Sequence, residues 1–155
     1  MSFHITNKII KKEWTDYNKH MNVAYYVLVF DEAWEVMLQK FKMGENSAKT
    51  TEMSTMVVET YITYNNEVKE GEKVDIFLTY FDHDKKRLHY RLEMIEKSSK
   101  KLSATIELLS LYVDLKKRKV SEFENEKINL MGNFINKNEN CFNKDDLKFL
   151  SKLKK

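Results

Sequence analysis

The chain switches between two hydrophobic periods, and the switch predicts its architecture. Residues 3–12 alternate weakly around Ile5, Ile9 and Ile10 and predict a first strand. Residues 23–42 take up a helical period instead. There Asp31, Glu32, Glu35, Gln39 and Lys42 form one narrow polar stripe, and Val27, Phe30, Trp34, Met37, Leu38 and Phe41 fill the rest. So narrow a stripe predicts a helix buried over most of its surface, with Gly44 as its stop. Strand character returns in residues 56–64, 74–81, 88–94 and 102–113, which are rich in β-branched and aromatic side chains or alternate apolar with polar ones. The breaks between them, 65–73, 82–87 and 96–101, are short and polar, which favours antiparallel neighbours over parallel crossovers. The predicted order is strand, long helix, antiparallel meander: an α+β domain in which one curled sheet wraps one helix. Residues 122–135 and 143–153 predict two short helices, the second capped by Asn143 with Asp145 and Asp146 in its first turn. Residues 1–120 thus read as the domain, and 121–155 as a helical extension packed on it.

Size and charge narrow the function. A chain of 155 residues, 42% hydrophobic, makes one domain with a real core. The net charge of +3 (27 basic minus 24 acidic) is too near neutral to imply nucleic acid. Basic residues gather in turns, at Lys85-Lys86-Arg87, Lys100-Lys101 and Lys116-Lys117-Arg118-Lys119, while the aromatics follow the core pattern and do not interleave with them. A nucleic-acid groove wants exposed stacking aromatics beside its charge, so none is expected. One cysteine, Cys141, excludes an internal disulfide and a multi-cysteine metal site. His4, His20, His83 and His89 are too far apart for a local ligand pair, and no P-loop or dinucleotide glycine fingerprint occurs, so no metal or cofactor is expected. No segment is long and apolar enough to span a bilayer, and no apolar signal core follows the N-terminal lysines. The expected location is the cytoplasm, without a membrane partner.

The densest polar chemistry lies just before the long helix. Asp16, Asn18, His20 and Asn22 fall within seven residues, among Trp14, Tyr17, Tyr25 and Tyr26. A helix start offers free backbone N–H groups and a partial positive charge. A carboxylate beside such donors suits attack of water on a carbonyl, because the developing oxyanion has a place to sit. The blander alternatives are that Asp16 only caps the helix or a turn, and that His20 only holds the loop. Asn22 is better suited to capping the helix than to chemistry.

This pattern resembles the 4-hydroxybenzoyl-CoA thioesterase-like branch of the hot-dog acyl-CoA thioesterases. That branch carries an Asp four residues before a His and an Asn two residues after it, here Asp16, His20 and Asn22. Within it the chain is similar to the group of betainyl-CoA thioesterases of carnitine breakdown. The likeness lies at Trp14-Thr15-Asp16-Tyr17-Asn18, His20-Met21-Asn22, Glu59-Thr60-Tyr61, Lys86-Arg87-Leu88-His89 and Ala104-Thr105-Ile106-Glu107. The chain departs from the pattern at Lys19, where the family usually has glycine, and at Tyr112, where it tends to have histidine.

The resemblance implies a hot-dog fold and hydrolysis of an acyl-CoA to free acid and CoA. It implies Asp16 as general base or nucleophile, with His20 orienting it or the thioester carbonyl. Asn18, Asn22, Tyr25, Glu59, Arg87, His89, Thr105 and Glu107 become substrate-binding candidates. In alternating strands Glu59, His89 and Glu107 would otherwise simply face solvent. The basic turns become candidates for the CoA phosphates rather than a plain solvated rim. The aromatics around Asp16, with Glu59, could hold a small cationic acyl group of betainyl type. An exposed strand edge implies a homodimer at least, with a dimer of dimers open and the active site at the subunit interface. A non-catalytic acyl-CoA-binding hot-dog protein is the alternative. A dehydratase fits less well, since the motif is built around Asp rather than a His base.

Overall fold

The computed structural model describes residues 2–155. Its elements are β1 (Phe3–Ile9), α1 (Val23–Lys40), α2 (Glu45–Thr51), β2 (Met53–Tyr64), β3 (Lys73–His83), β4 (Arg87–Glu96), β5 (Leu102–Asp114), β6 (Lys119–Val120) and α3 (Asn125–Asn138). The strands form one curled antiparallel sheet in the order β1-β3-β4-β5-β2, with β6 added beside the end of β5. It wraps α1, which is the hot-dog arrangement.

The strands from β3 to β5 form the expected meander, but β2 does not begin it. It lies at the far edge on β5, with Thr63 opposite Thr105 and Ile62 opposite Ile106. Residues 65–72 therefore cross the end of the sheet. At one end the Asn65 and Asn66 N–H groups donate to the Ser103 carbonyl on β5; at the other, Ile10 N–H donates to the Glu72 carbonyl and Gly71 N–H to the Ile10 carbonyl. Gly71 sits at φ 83°, a conformation that favours glycine. A short polar segment can make this crossing as readily as a hairpin, so sequence did not reveal it.

The inner sheet face carries Val74, Ile76 and Leu78 of β3, Leu88, Tyr90, Leu92 and Met94 of β4, and Ala104, Ile106 and Tyr112 of β5. These pack on Phe30, Ala33, Trp34 and Met37 of α1. Trp34 stacks flat on Tyr90 with centroids 3.6 Å apart. Each large apolar side chain buried this way contributes about 1.5–3 kcal/mol. The helix is less enclosed than its narrow polar stripe suggests: Val23, Val27, Leu28 and Val36 remain exposed, as do Met56, Val57 and Val58 on β2.

Gly44 does not stop α1. The stop is Lys42 in the left-handed region (φ 59°), closed by Met43 N–H donating to the Leu38 carbonyl and Lys42 N–H to that of Gln39. Gly44 instead opens α2, a short helix without the apolar period that would have marked it. A side chain there would collide with the Glu35 carboxylate, which accepts the Glu45 N–H at 2.8 Å.

Beyond β6 only α3 is a full helix. Residues 143–153 make no helix apart from a short turn at Leu150–Lys152. The Asn143 side chain does accept the Asp145 N–H, but Asp146 then turns left-handed (φ 62°) and ends any helical run. The tail lies over the outer sheet face, where buried Glu107 accepts the Lys148 N–H at 2.7 Å and the Phe149 N–H at 2.9 Å. The same carboxylate bonds His89 Nε2 at 2.6 Å. Glu107→Ala should therefore cost about 3–5 kcal/mol, the usual penalty for breaking a buried pair. Hydrogen exchange should quicken first at the Lys148 and Phe149 amides. Unchanged protection there would show that the tail is held by other contacts.

Candidate active site

The loop before α1 is a closed turn. A bridge pairs Thr15 with Met21, Asp16 N–H donates to the His20 carbonyl, and Lys19 N–H donates to the Asp16 carbonyl at 2.9 Å. The loop is anchored by buried Trp14 and Met21. Met21 N–H donates to the carbonyl of Val68 in the crossover, and Asn22 N–H to that of Trp14.

This closure aims the Asp16 side chain. One carboxylate oxygen accepts the Asn18 N–H at 2.8 Å, and the other accepts the Asn22 side-chain amide at 3.1 Å. The Asn18 N–H, and after it the Asn22 amide, hold the Asp16 carboxyl below the usual carboxylate range; partial loss of water opposes them and nearby His20 adds a smaller pull downward. Asp16 therefore stays ionised at neutral pH.

Asn22 is also the N-cap of α1, its side-chain oxygen accepting the Ala24 N–H at 3.0 Å. Tyr25 N–H returns to the Asn22 carbonyl. The Val23 N–H is left without an acceptor among the described residues. A free amide at the positive end of a helix, next to an ionised carboxylate, is what a developing oxyanion needs.

His20 makes its side-chain hydrogen bond to the crossover rather than to Asp16. Its Nδ1 lies 2.7 Å from a Glu67 carboxylate oxygen. That contact, followed by Lys69, holds the Glu67 carboxyl below its ordinary range against the opposing loss of water. Tyr25 stacks on Trp14 at 6.2 Å, while Tyr17 stands open to solvent. His20, Met21, Val23, Tyr26, Tyr64 and Glu67 line part of a cavity of about 220 Å³ beside the motif.

The structure thus gathers Asp16, Asn18, His20, Asn22 and Tyr25. It does not bring Glu59, Arg87, His89, Thr105 and Glu107 to them. Leu88, Tyr90 and Ile106 point inward to α1, so the alternating positions Arg87, His89, Thr105 and Glu107 lie on the outer face. There Arg87 pairs with Asp84 at 3.0 Å, Thr105 bonds Thr63 at 2.6 Å, and Glu59 faces Lys152 at 3.5 Å. Glu67 and Val68 went unnoticed in the sequence, because only the crossover brings them to His20 and Met21. Among the described residues, no group of three or more His, Cys, Asp or Glu side chains is arranged to hold a metal. No helix among them is long and apolar enough to cross a membrane.

Lys19 occupies the left-handed region at φ 63°. A non-glycine residue pays about 1–2 kcal/mol there, and glycine's greater chain entropy in the unfolded state returns about 0.5–1 of that. Lys19→Gly should therefore raise unfolding free energy by about 0.5–1 kcal/mol in urea titration. A loss of stability would mean that the lysine side chain supports the loop.

Residues 10–133 match the family model of the thioesterase-like superfamily. The betainyl-CoA thioesterase of Pseudomonas aeruginosa is 31% identical over 114 residues, which is 74% of this chain and 72% of that protein. A Staphylococcus aureus protein solved in complex with CoA superposes with TM-score 0.80 at 19% identity, over 88% of this chain and 86% of that one. The 1,4-dihydroxy-2-naphthoyl-CoA thioesterase of Synechocystis superposes with TM-score 0.74 at 15% identity, over 85% and 96% of the two chains. With the wrapped helix and the Asp16 loop at its start, these likenesses establish that the chain belongs to the thioesterase-like superfamily and is a thioester hydrolase of hot-dog fold.

Proposed function

We propose that the chain hydrolyses an acyl-CoA to the free acid and CoA, with Asp16 carrying the chemistry. One observation supports this above the others: an ionised Asp16 carboxylate is fixed by Asn18 and Asn22 beside the free Val23 N–H at the start of α1. In the base reading, Asp16 takes a proton from water as the water oxygen bonds to the thioester carbon. The carbonyl oxygen becomes an oxyanion at the helix start. Collapse breaks the carbon–sulfur bond, and the CoA thiolate leaves and is protonated. In the nucleophile reading, a carboxylate oxygen attacks, CoA leaves, and water hydrolyses the mixed anhydride. His20, paired to Glu67, positions the loop from the crossover side.

The acyl group is a small cationic one of betainyl type. The 31% identity to the Pseudomonas aeruginosa enzyme supports this. The assembly is a homodimer. The exposed edge strand β2 with Met56, Val57 and Val58, beside exposed Val27 and Leu28 of α1, is a surface that a second copy would cover. The exposed Lys116–Lys119 stretch, whose turn is shaped by Asp114 accepting the Lys116 and Lys117 N–H groups, offers cations to the CoA phosphates.

A thiol-release assay over a panel of acyl-CoAs tests the activity; binding without release across the panel would favour the non-catalytic reading. Asp16→Asn keeps the shape and should lower turnover by about 100-fold or more. Wild-type turnover in a folded variant would remove Asp16 from the mechanism. Because the folded carboxyl lies below its ordinary 3.8, activity that depends on its ionised form is fully present above that pH and is lost only as pH falls through the depressed value. The acid limb of kcat/KM should thus lie below pH 3.8. A limb well above pH 3.8 would remove Asp16 as the group whose ionisation limits activity. Replacing Lys116, Lys117, Arg118 and Lys119 with serine should raise KM and leave kcat nearly unchanged, since only remote uniform binding is lost. An unchanged KM at low salt would return this turn to plain surface.

A further inference from the structure

His20 and Glu67 form a carboxylate–imidazole pair beside the reacting loop. Nδ1 of His20 lies 2.7 Å from Oε2 of Glu67. The other Glu67 oxygen, Oε1, faces the Lys69 ammonium at 3.7 Å. With its carboxyl held low by these two partners, Glu67 is ionised at neutral pH. An ionised carboxylate only accepts, so Nδ1 must carry the hydrogen of this contact. In neutral His20 the second nitrogen, Nε2, is then a bare acceptor. The contact to Glu67 is the only side-chain hydrogen bond of His20 among the described residues, so Nε2 is free.

His20 also stands beside the reaction centre. It lines the cavity of about 220 Å³ together with Val23, whose N–H is the free amide at the start of α1. A cavity of that size has ample room for water. The imidazole is near enough to Asp16 for its charge to be felt by that carboxyl. Nor is the pair needed to close the loop. Met21 N–H donates to the Val68 carbonyl at 2.8 Å and Asn22 N–H to that of Trp14 at 2.9 Å, so backbone alone ties the turn.

Asp16 itself is poorly suited to take a proton from water. A base works best with a pKa near the operating pH, and the Asn18 and Asn22 hydrogen bonds move Asp16 the other way. A nucleophile must above all be ionised, which the same bonds secure. The water that later cleaves the mixed anhydride then needs another base.

We propose that Glu67 is a positioning residue that keeps the His20 proton on Nδ1, and that His20 Nε2 is the base for the water that hydrolyses the anhydride. The proposal rests on the nucleophile reading of the thioesterase reaction. Asp16 attacks, the carbon–sulfur bond breaks, and the CoA thiolate takes a proton from solvent. Water then bonds to the acyl carbon as Nε2 takes one of its protons. The bond between the acyl carbon and the Asp16 oxygen breaks, the acid leaves, and Asp16 is a carboxylate again. The imidazolium returns its proton to solvent, which balances the one taken by the thiolate.

Two measurements test this. The first needs no turnover: nitrogen NMR of the His20 ring at a pH where the ring is neutral. Wild type should show a protonated Nδ1 and a bare Nε2. In Glu67→Ala the two signals should move toward each other as the proton is shared between them. A ring protonated on Nε2 in wild type, or signals unmoved in Glu67→Ala, overturns the role of Glu67. The second is thiol release from betainyl-CoA, followed through the first turnover and into steady state. His20→Ala should release one CoA per active site in a burst and then turn over about 100-fold more slowly than wild type. Glu67→Ala should show the same pattern with a smaller loss. In both, kcat/KM should stay near wild type, because it counts only the steps up to CoA release. A loop merely disturbed in shape would slow the first step, lower kcat/KM and give no burst. That result overturns the proposal, as does wild-type kcat in His20→Ala. If wild type releases no thiol from betainyl-CoA, the water step falls with the reading it rests on, while the ring nitrogens still decide whether Glu67 sets the proton.

Discussion

The site hangs on the side-chain amide of Asn22. Its oxygen caps α1 through the Ala24 N–H, and its nitrogen holds one oxygen of Asp16. Helix start and Asp16 carboxylate are thereby placed by one planar group, so neither can shift without the other. The core gives this arrangement its rigidity. Phe30, Trp34 and Met37 pin α1 to the sheet, so the helix that supplies the amide donor cannot slide. A lost cap typically costs about 1 kcal/mol. Here it would also release the Asp16 carboxylate from one of its two donors.

The crossover of residues 65–72 supplies the other support. By carrying β2 to the far edge, it passes over the same end of the sheet as the Asp16 loop. Val68 accepts the Met21 N–H and Glu67 meets His20. The topology that exposes β2 is therefore the one that closes the site. A simple meander would have left β2 beside β3, with no segment to hold His20.

The two faces of the sheet divide the polar residues by task. On the outer face, Glu107 and His89 are buried and bonded to each other, and Glu107 gathers two backbone N–H groups of the tail. Isolated ionic groups do not survive burial at acceptable cost, and the Glu107 carboxylate is satisfied by His89 and by the tail that covers it, while His89 Nδ1 is left without a partner. On the inner side polar groups are sparse.

Much of this was legible in the chain itself. The helical period of residues 23–42, the alternation in four later strands and the tight group from Asp16 to Asn22 are local patterns, and local backbone geometry obeys them. The left-handed conformation of Lys19 (φ 63°) was not legible, since nothing local marks a lysine for it. What sequence could not decide were relations between distant segments. Whether 65–72 turned back or crossed over depended on which edge β2 could pair with. Which face His89 and Glu107 occupied depended on the register against α1, because a period of two says that alternate residues part company but not which set is covered. The predicted second C-terminal helix failed for the same reason: the N–H groups of Lys148 and Phe149 found their acceptor in Glu107, some forty residues away, rather than one turn back. Glu67 looked like one charge of a polar break. Only the crossover turned it into the partner of His20. Local periodicity set the elements and the motif, while tertiary contact decided their partners, because hydrogen bonds and burial are settled between segments that the chain order keeps apart.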